Sequence, residues 1–445
     1  MECEVIVVGG GIGGLTVAAL LAARGVDVAL FERQSHVGGC LAKFEHLGQS
    51  FDPTFGLFSG WEPDGVWERV FDALPVTPPE ATKLTENFVL RLPDGVEVPV
   101  GSDRDALQQS VARAFPDCAD KAVQFMRAIF DSRADLDSLR NTSVSFRAFI
   151  DAQLSFLAQR TLESAEPSHV IDTLSLATGD MWEIDGGAHS LADRLASSFK
   201  QSGGSLRLNS PVLRLAYRSS GAPEGVDLLS GERVTATRAI VSNLTVWDTY
   251  GKLIGLRYTP AKLSAQLRQM SAWGVYQVFM VLDEDAVARL PCSRLVLVVD
   301  SEDTPAPAPH LMLNIATGKN QSTSSRQRAA TLTSFTNTDD WFAFHQDASW
   351  HDEQDQAALE EIWSRLHRAA PEIASGAEVF ETTTPQTLYE SVRRKMGMVG
   401  SPTPAWADRS SCFDNLFLIG DTVSDYIGVA GVAKAAYHLA ETLRK

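Results

Sequence analysis

Residues Val5 to Ala23 read VIVVGGGIGGLTVAALLAA, nineteen positions without a charge. By length alone the run matches a membrane span or the apolar core of a leader peptide. Two features argue against both. Met1-Glu2-Cys3-Glu4 is acidic where a leader carries positive charge. Gly9, Gly10, Gly11, Gly13 and Gly14 interrupt the run, and each costs a helix interior about 1 kcal/mol relative to alanine. The same residues divide well into strand, turn and helix. Glu4 to Val8 is rich in β-branched residues, as a strand buried on both faces requires. Leu15 to Arg24 reads as an Ala- and Leu-rich helix, and Gly25 stops it. Val26 to Phe31 supplies a second strand that ends at Glu32, completing a βαβ unit.

The turn has the spacing Gly9-x-Gly11-x-x-Gly14, with Ile12 and Gly13 between the last two glycines. The first glycine permits the sharp turn, the second a close approach of backbone to a diphosphate, and the third tight packing of helix on strand. The helix N-terminus then presents free N–H groups and a positive dipole end to the phosphates. Glu32 lies eighteen residues beyond Gly14, where a carboxylate can accept hydrogen bonds from ribose hydroxyls. Strand, glycines, helix and acid in this order predict a dinucleotide site.

Composition narrows the rest. The chain has 445 residues, 44% hydrophobic and 21% charged, with a net charge of −17. These are globular proportions, and the acidic balance excludes a phosphate-binding nucleic-acid surface. Cys3, Cys40, Cys118, Cys292 and Cys412 are scattered without a CxxC pair, which fits a reducing, cytoplasmic setting. No metal-ligand spacing stands out, and His345 and His351 in FHQDASWH read as the solvated start of a helix.

Further blocks follow the first in a familiar order. Arg33, Gly38, Gly39 and Cys40 come soon after Glu32, and Phe51-Asp52-Pro53-Thr54-Phe55-Gly56 comes next. Around the middle, Asp185-Gly186-Gly187-Ala188 precedes a helix near Ser190–Gln201. Strands near Ser205–Leu208 and Val212–Tyr217 follow, then a Gly225–Leu229/Gly231–Thr235 hairpin and a strand at Arg238–Ser242. At the end, Asn415 to Ile419 leads into Gly420-Asp421, Thr422 to Tyr426, Gly428-Val429 and a last helix through Leu443. This arrangement resembles the FAD-dependent phytoene-desaturase and carotenoid-isomerase-like oxidoreductases of the flavin amine-oxidase superfamily. Thr384-Pro385-Gln386-Thr387 and Arg393 to Gly400, RRKMGMVG, resemble a further segment of the carotenoid desaturases.

The resemblance implies a Rossmann-like α/β FAD-binding domain of residues 1–75, 181–254 and 391–445. An α+β substrate domain of residues 76–180 and 255–390 would be interleaved with it, carrying an antiparallel sheet and a helical cap. It implies non-covalent FAD held by Gly9, Gly11, Ile12, Gly13, Gly14, Glu32, Arg33, Gly38, Gly39, Cys40, Thr54, Val212, Gly420, Asp421, Gly428 and Val429. Cys40 stands where the family usually has a basic or small residue, and Ala430 where it often has proline. The glycine that the family has before the proline of its Thr54 segment is missing.

The implied activity is desaturation of an apolar, polyene-like or terpenoid-like substrate or biosynthetic intermediate, by hydride transfer to the flavin. Oxygen or a quinone would serve as the electron acceptor. The alternatives are an amine or heterocycle oxidase, a redox-neutral isomerase or saturase, and a flavin-binding partner protein without turnover. A lipophilic substrate implies at most peripheral membrane contact. Family members tend to be longer, which favours a smaller cap and a smaller or more soluble substrate.

In the substrate region the sequence predicts a hairpin at Phe88–Val100, helices over Asp105–Phe130, Phe146–Leu162 and Glu353–Arg368, and strands at Ala272–Leu282 and Leu295–Asp300. Phe125, Phe130, Phe146, Phe149 and Phe156 read as helical core, with a lipophilic tunnel as the alternative. His189, Trp182 and Tyr389 are further pocket candidates. No catalytic acid or base is evident.

Overall fold

The computed structural model describes residues 1–46, 48–299, 308–317, 327–343, 347–373, 376–403, 406, 411–423 and 427–444. Two sheets organise them. The first, of seven strands, is built around the opening strand Glu2–Val8. That strand pairs in parallel with Val28–Phe31 on one side and with Arg233–Ser242 on the other. Ser205–Arg207 extends the sheet beyond Val28–Phe31. The start of Arg233–Ser242 pairs antiparallel with Pro223–Leu228, and its end pairs in parallel with Leu416–Leu418. Chain from both ends and the middle of the sequence therefore meets in one sheet.

The nineteen-residue uncharged run becomes the opening strand and the helix Ile12–Ala23. That helix is buried from Ile12 to Ala22. It packs between the helices Ala188–Gln201 and Gly428–Thr442, so apolar side chains are needed all round it. No helix among the described residues is long and apolar enough to cross a membrane.

The second sheet has eight strands, mostly antiparallel, with Ser271–Asp283 lying between Gln327–Thr336 and the edge strand Ala377–Thr383. The expected hairpin forms from Phe88–Arg91 and Glu97–Val100. The helix expected over Asp105–Phe130 is two helices, Arg104–Ala114 and Ala119–Phe130. Pro116 separates them, since proline lacks the N–H and clashes with the preceding turn. Val144–Ala158 and Pro167–Ala177 complete this helical layer. Phe125, Phe146, Phe149 and Phe156 are buried in its core, with Phe125 and Phe146 in edge contact, and Phe130 packs against it.

The proline-rich stretch 304–309 and the polar stretch 319–328, both loop-like in sequence, fall largely outside the described residues, and His345 and Tyr426 lie outside them too.

The segment Phe51–Gly56 runs between the sheets. Its carbonyls at Asp52, Pro53, Thr54 and Gly56 accept hydrogen bonds from Thr331, Gln277, Asn314 and Arg294 of the second sheet, at 2.7 to 3.1 Å. The Asp52 carboxylate accepts from the Ala188 N–H at 3.0 Å, at the start of the first-sheet helix. Irregular buried backbone needs such donors, and here they tie one sheet to the other.

Candidate active site

Three glycine turns converge beside the first sheet. Gly9 leaves the opening strand with φ +100°. The Gly38 N–H donates to the Gly10 carbonyl at 2.9 Å, and a Cβ on Gly39 would stand 3.5 Å from Gly11 Cα. Gly420, with φ +130°, faces the side chain of Asn243. Asn243 directly follows the strand Arg233–Ser242 and touches the first turn repeatedly. A Cβ on Gly11 or on Gly13 would lie 2.7 Å from its amide, and one on Gly14 would lie 3.2 Å from its Cβ. The glycines are therefore required by close packing as well as by backbone angle.

These turns line a cavity of about 610 Å³. Gly9, Gly11, Ile12, Gly13, Glu32, Arg33, Gly38, Gly39, Cys40, Val212, Gly420, Asp421, Gly428 and Val429 all contribute to its walls. Two helices begin there, Ile12–Ala23 and Gly428–Thr442, and neither N-cap, Gly11 or Ile427, makes a side-chain cap. Their first N–H groups and positive dipole ends suit an anion. The walls carry Arg33, Arg160, Lys252, Arg393 and Arg394 against Glu32, Asp248 and Asp421. A chain of net charge −17 thus holds a cavity with an excess of cations.

The Glu32 carboxylate is 8% exposed. It accepts from the Gly10 N–H at 2.7 Å and from the Gln34 N–H at 2.8 Å, one to each oxygen. Each oxygen keeps a lone pair for a ribose hydroxyl. Arg33 donates to the Ser391 carbonyl at 2.8 Å. The Cys40 side chain has accessible surface and lines the cavity wall. Burial raises its thiol pKa, and the neighbouring Arg394 works in the opposite direction.

Two expected residues stand apart from the cavity. Gly14 packs behind it, where an added Cβ would meet the Gly9 carbonyl at 2.2 Å. Thr54 belongs to the fastening between the sheets: its hydroxyl donates to Asp52 at 2.7 Å and its carbonyl accepts from Asn314. His189 lines a separate cavity of about 50 Å³, with Lys43, Asp52 and Arg294. Burial lowers its pKa, with Lys43 acting in the same direction. Trp182 pairs with Lys83 in a short two-stranded sheet, and Tyr389 stacks under the guanidinium of Arg393, 5.4 Å from its centroid. Neither lines the large cavity, nor do the five phenylalanines.

The sequence reading missed Asn243, Asp248, Lys252, Gln159, Arg160, His169 and Arg394, all in the walls. Asp248 and Lys252 sit on or next to a π-helical turn, Thr249–Gly255, and pair at 2.7 Å. Such turns often mark functional sites, but nothing local in the sequence announces one. Arg394 lies in the RRKMGMVG segment, whose glycines drew notice while its arginines did not.

Residues 7–74 match the model of the NAD(P)-binding Rossmann-like domain. The chloroplastic prolycopene isomerase of Daucus carota is 22% identical over 486 aligned residues, covering 97% of this chain and 78% of that one. A 4,4'-diapophytoene desaturase of Methylomonas sp is 24% identical, covering 67% of this chain and 64% of the relative. The solved cyclohexylamine oxidase of Brevibacterium oxydans superposes with a TM-score of 0.61 at 18% identity, over the full length of both chains. The glycine-turn cavity, the Rossmann unit and relatives matched along most of the sequence agree: the chain is similar to the carotenoid isomerases and desaturases and shares the fold of a flavin amine oxidase.

Proposed function

We propose that the protein binds FAD non-covalently in the large cavity and desaturates a small, largely apolar substrate. The observation that carries this reading is the meeting of three glycine turns and two uncapped helix N-termini in one cation-rich cavity. The residues fit the cofactor. Glu32 would receive the adenosine ribose, Gly9 to Gly13 and Gly38-Gly39 the diphosphate, and Val212 the adenine. Gly420, Asp421, Gly428 and Val429 would take the ribityl and ring end. FAD, when bound, supplies the two-electron acceptor that a desaturation needs. The protein's part is to orient the substrate and exclude water.

The segments 1–75, 181–254 and 391–445 would form the cofactor domain, with 76–180 and 255–390 covering it. Val144–Ala158 and the residues just after it bring Leu157, Ala158, Gln159 and Arg160 to the wall, and Pro167–Ala177 brings His169. This mixture supports a substrate with a polar group rather than a pure hydrocarbon. Oxygen or a quinone is the acceptor this reading requires.

The test has two stages. Purified protein should show flavin absorbance or bind added FAD with one-to-one stoichiometry; failure of both refutes the cofactor. Anaerobic titration with polyenes, terpenoids and amines should then bleach the flavin stoichiometrically with an alkene-forming substrate. Bleaching by amines alone would assign an oxidase. The carrot prolycopene isomerase, matched along nearly the whole chain, favours a second reading: isomerisation by pre-reduced enzyme with no net bleaching.

A further inference from the structure

Arg394 sits where the glycine turns meet. Its guanidinium reaches the Asp421 carboxylate through both terminal nitrogens, at 2.8 and 3.3 Å, and its Nε donates to the Met398 carbonyl at 2.7 Å. The Cys40 thiol lies near enough to the same guanidinium to feel its charge. Cys40 directly follows Gly38-Gly39 and Asp421 directly follows Gly420, so Arg394 is bonded at one of these turns and shares the cavity wall with the other. The third turn is in contact with the first of these, through Gly38 N–H to the Gly10 carbonyl at 2.9 Å. The Arg394 side chain is 14% exposed and contributes to the cavity wall.

The loop that presents it holds unusual backbone. Arg393 has φ +58° and Met396 φ +50°, left-handed values that non-glycine residues seldom adopt. Strain of this kind persists where the surroundings over-determine it, and it clusters at functional sites. Burial pulls the guanidinium pKa down, and the Asp421 carboxylate more than reverses that, so the charge is secure.

A diphosphate is doubly negative. Backbone N–H groups and helix ends offer it partial charge only. The other cations of the wall are directed elsewhere: Arg33 to the Ser391 carbonyl, Lys252 to Asp248, Arg160 to Pro402 and Thr403, and Arg393 onto the Tyr389 ring. With Nε and one hydrogen of each terminal nitrogen engaged, one N–H on each terminal nitrogen is left to donate a charge-assisted bond to phosphate oxygens.

We propose that Arg394 is the cation that anchors the diphosphate of the bound dinucleotide, with Asp421 and the Met398 carbonyl setting its orientation. The proposal rests on the dinucleotide reading above and assigns Arg394 a role that a simple latch between the loop and the Gly420 turn would not have.

Competitive displacement separates the two. Binding of FAD is followed by flavin fluorescence, and ADP and riboflavin are titrated as probes with and without the phosphates. Arg394→Met should weaken FAD and ADP by about ten- to hundredfold and leave riboflavin within about twofold. Unchanged ADP binding overturns the proposal. So does an equal loss for ADP and riboflavin, which is the signature of a latch. If the methionine variant does not fold, Arg394→Gln keeps amide donors for Asp421 and Met398 while removing the charge, and the same comparison decides. Wild-type protein that binds neither FAD nor ADP refutes the dinucleotide reading itself. Wild-type binding that Arg394→Met leaves intact refutes only the anchor.

Discussion

Gly14→Ala tests the phosphate turn most sharply. The new Cβ would lie 2.2 Å from the Gly9 carbonyl oxygen, 3.2 Å from Asn243 Cβ and 3.3 Å from Val7 Cγ1. Ordinary contact starts near 3.4 Å, so the helix and the turn must part by about 1 Å. The obstacle is backbone, which cannot rotate aside. Alanine recovers about 1 kcal/mol of helix propensity, against an overpacking cost of about 1–3 kcal/mol. Global stability should therefore fall by no more than about 2 kcal/mol. The relief comes from displacing Gly9 and with it the Gly11 turn, the proposed phosphate cradle. The larger effect should be on affinity, with FAD binding weakened roughly five- to hundredfold. Gly13→Ala is the control. Its Cβ would meet Asn243 Oδ1 at 2.7 Å and Val432 Cγ1 at 3.0 Å, side-chain atoms that can turn away. Fluorescence titration with FAD alongside thermal melts gives both quantities. The reasoning is refuted if Gly14→Ala binds FAD like wild type, or if Gly13→Ala proves the more damaging.

Three further outcomes follow from the same geometry. Glu32→Gln keeps the shape but loses the charge that receives Gly10 N–H and Gln34 N–H. FAD and ADP should both weaken by about 1.5–3 kcal/mol, with riboflavin unaffected, as competition binding would show. Cys40 should be alkylated in the flavin-stripped protein and protected by FAD, while exposed Cys412 reacts either way. Because burial raises the Cys40 pKa, its labelling rate should still be climbing above pH 9, as peptide mass mapping across pH would reveal. His189 has a pKa lowered from 6.5 by burial and Lys43, against the opposing pull of Asp193, Asp52 and Glu45. The unfolded chain then binds the proton more readily, so stability should fall as pH drops below 6.5. His189→Asn should lose less over that window in denaturant melts, and a parallel loss would contradict the assignment.

What could be read from the sequence is what a single segment demands of itself. Gly9, Gly11 and Gly14 are each required by the turn that contains them, and the β-branched run before them and the Ala-rich run after them are local choices. The ends of these elements were correspondingly close: the helix expected from Leu15 begins at Ile12, and the strand expected from Val26 begins at Val28. Pro116 was a local signal too, and its cost to a continuous helix was overlooked. Asn243 is of another kind. It matters because the strand Arg233–Ser242 lies beside the opening strand, so that the residue just after it abuts the first turn. Asparagine after a strand carries no such message alone.

Thr54 shows the same limit from the other side. Its segment resembles one that lies beside a flavin, yet four donors from the second sheet hold that segment's carbonyls, at Asp52, Pro53, Thr54 and Gly56. Those donors, Gln277, Arg294, Asn314 and Thr331, are far away in sequence. Buried irregular backbone must find hydrogen-bond partners, and which partners it finds depends on how the two sheets face each other. The consequence is mechanical. A segment tied to the second sheet by its carbonyls, and to the helix Ala188–Gln201 by the Asp52 carboxylate, fixes the distance between the two halves of the molecule. Thr54 therefore belongs to the fastening that sets the width of the site, and residues such as Arg394 supply the charge inside it.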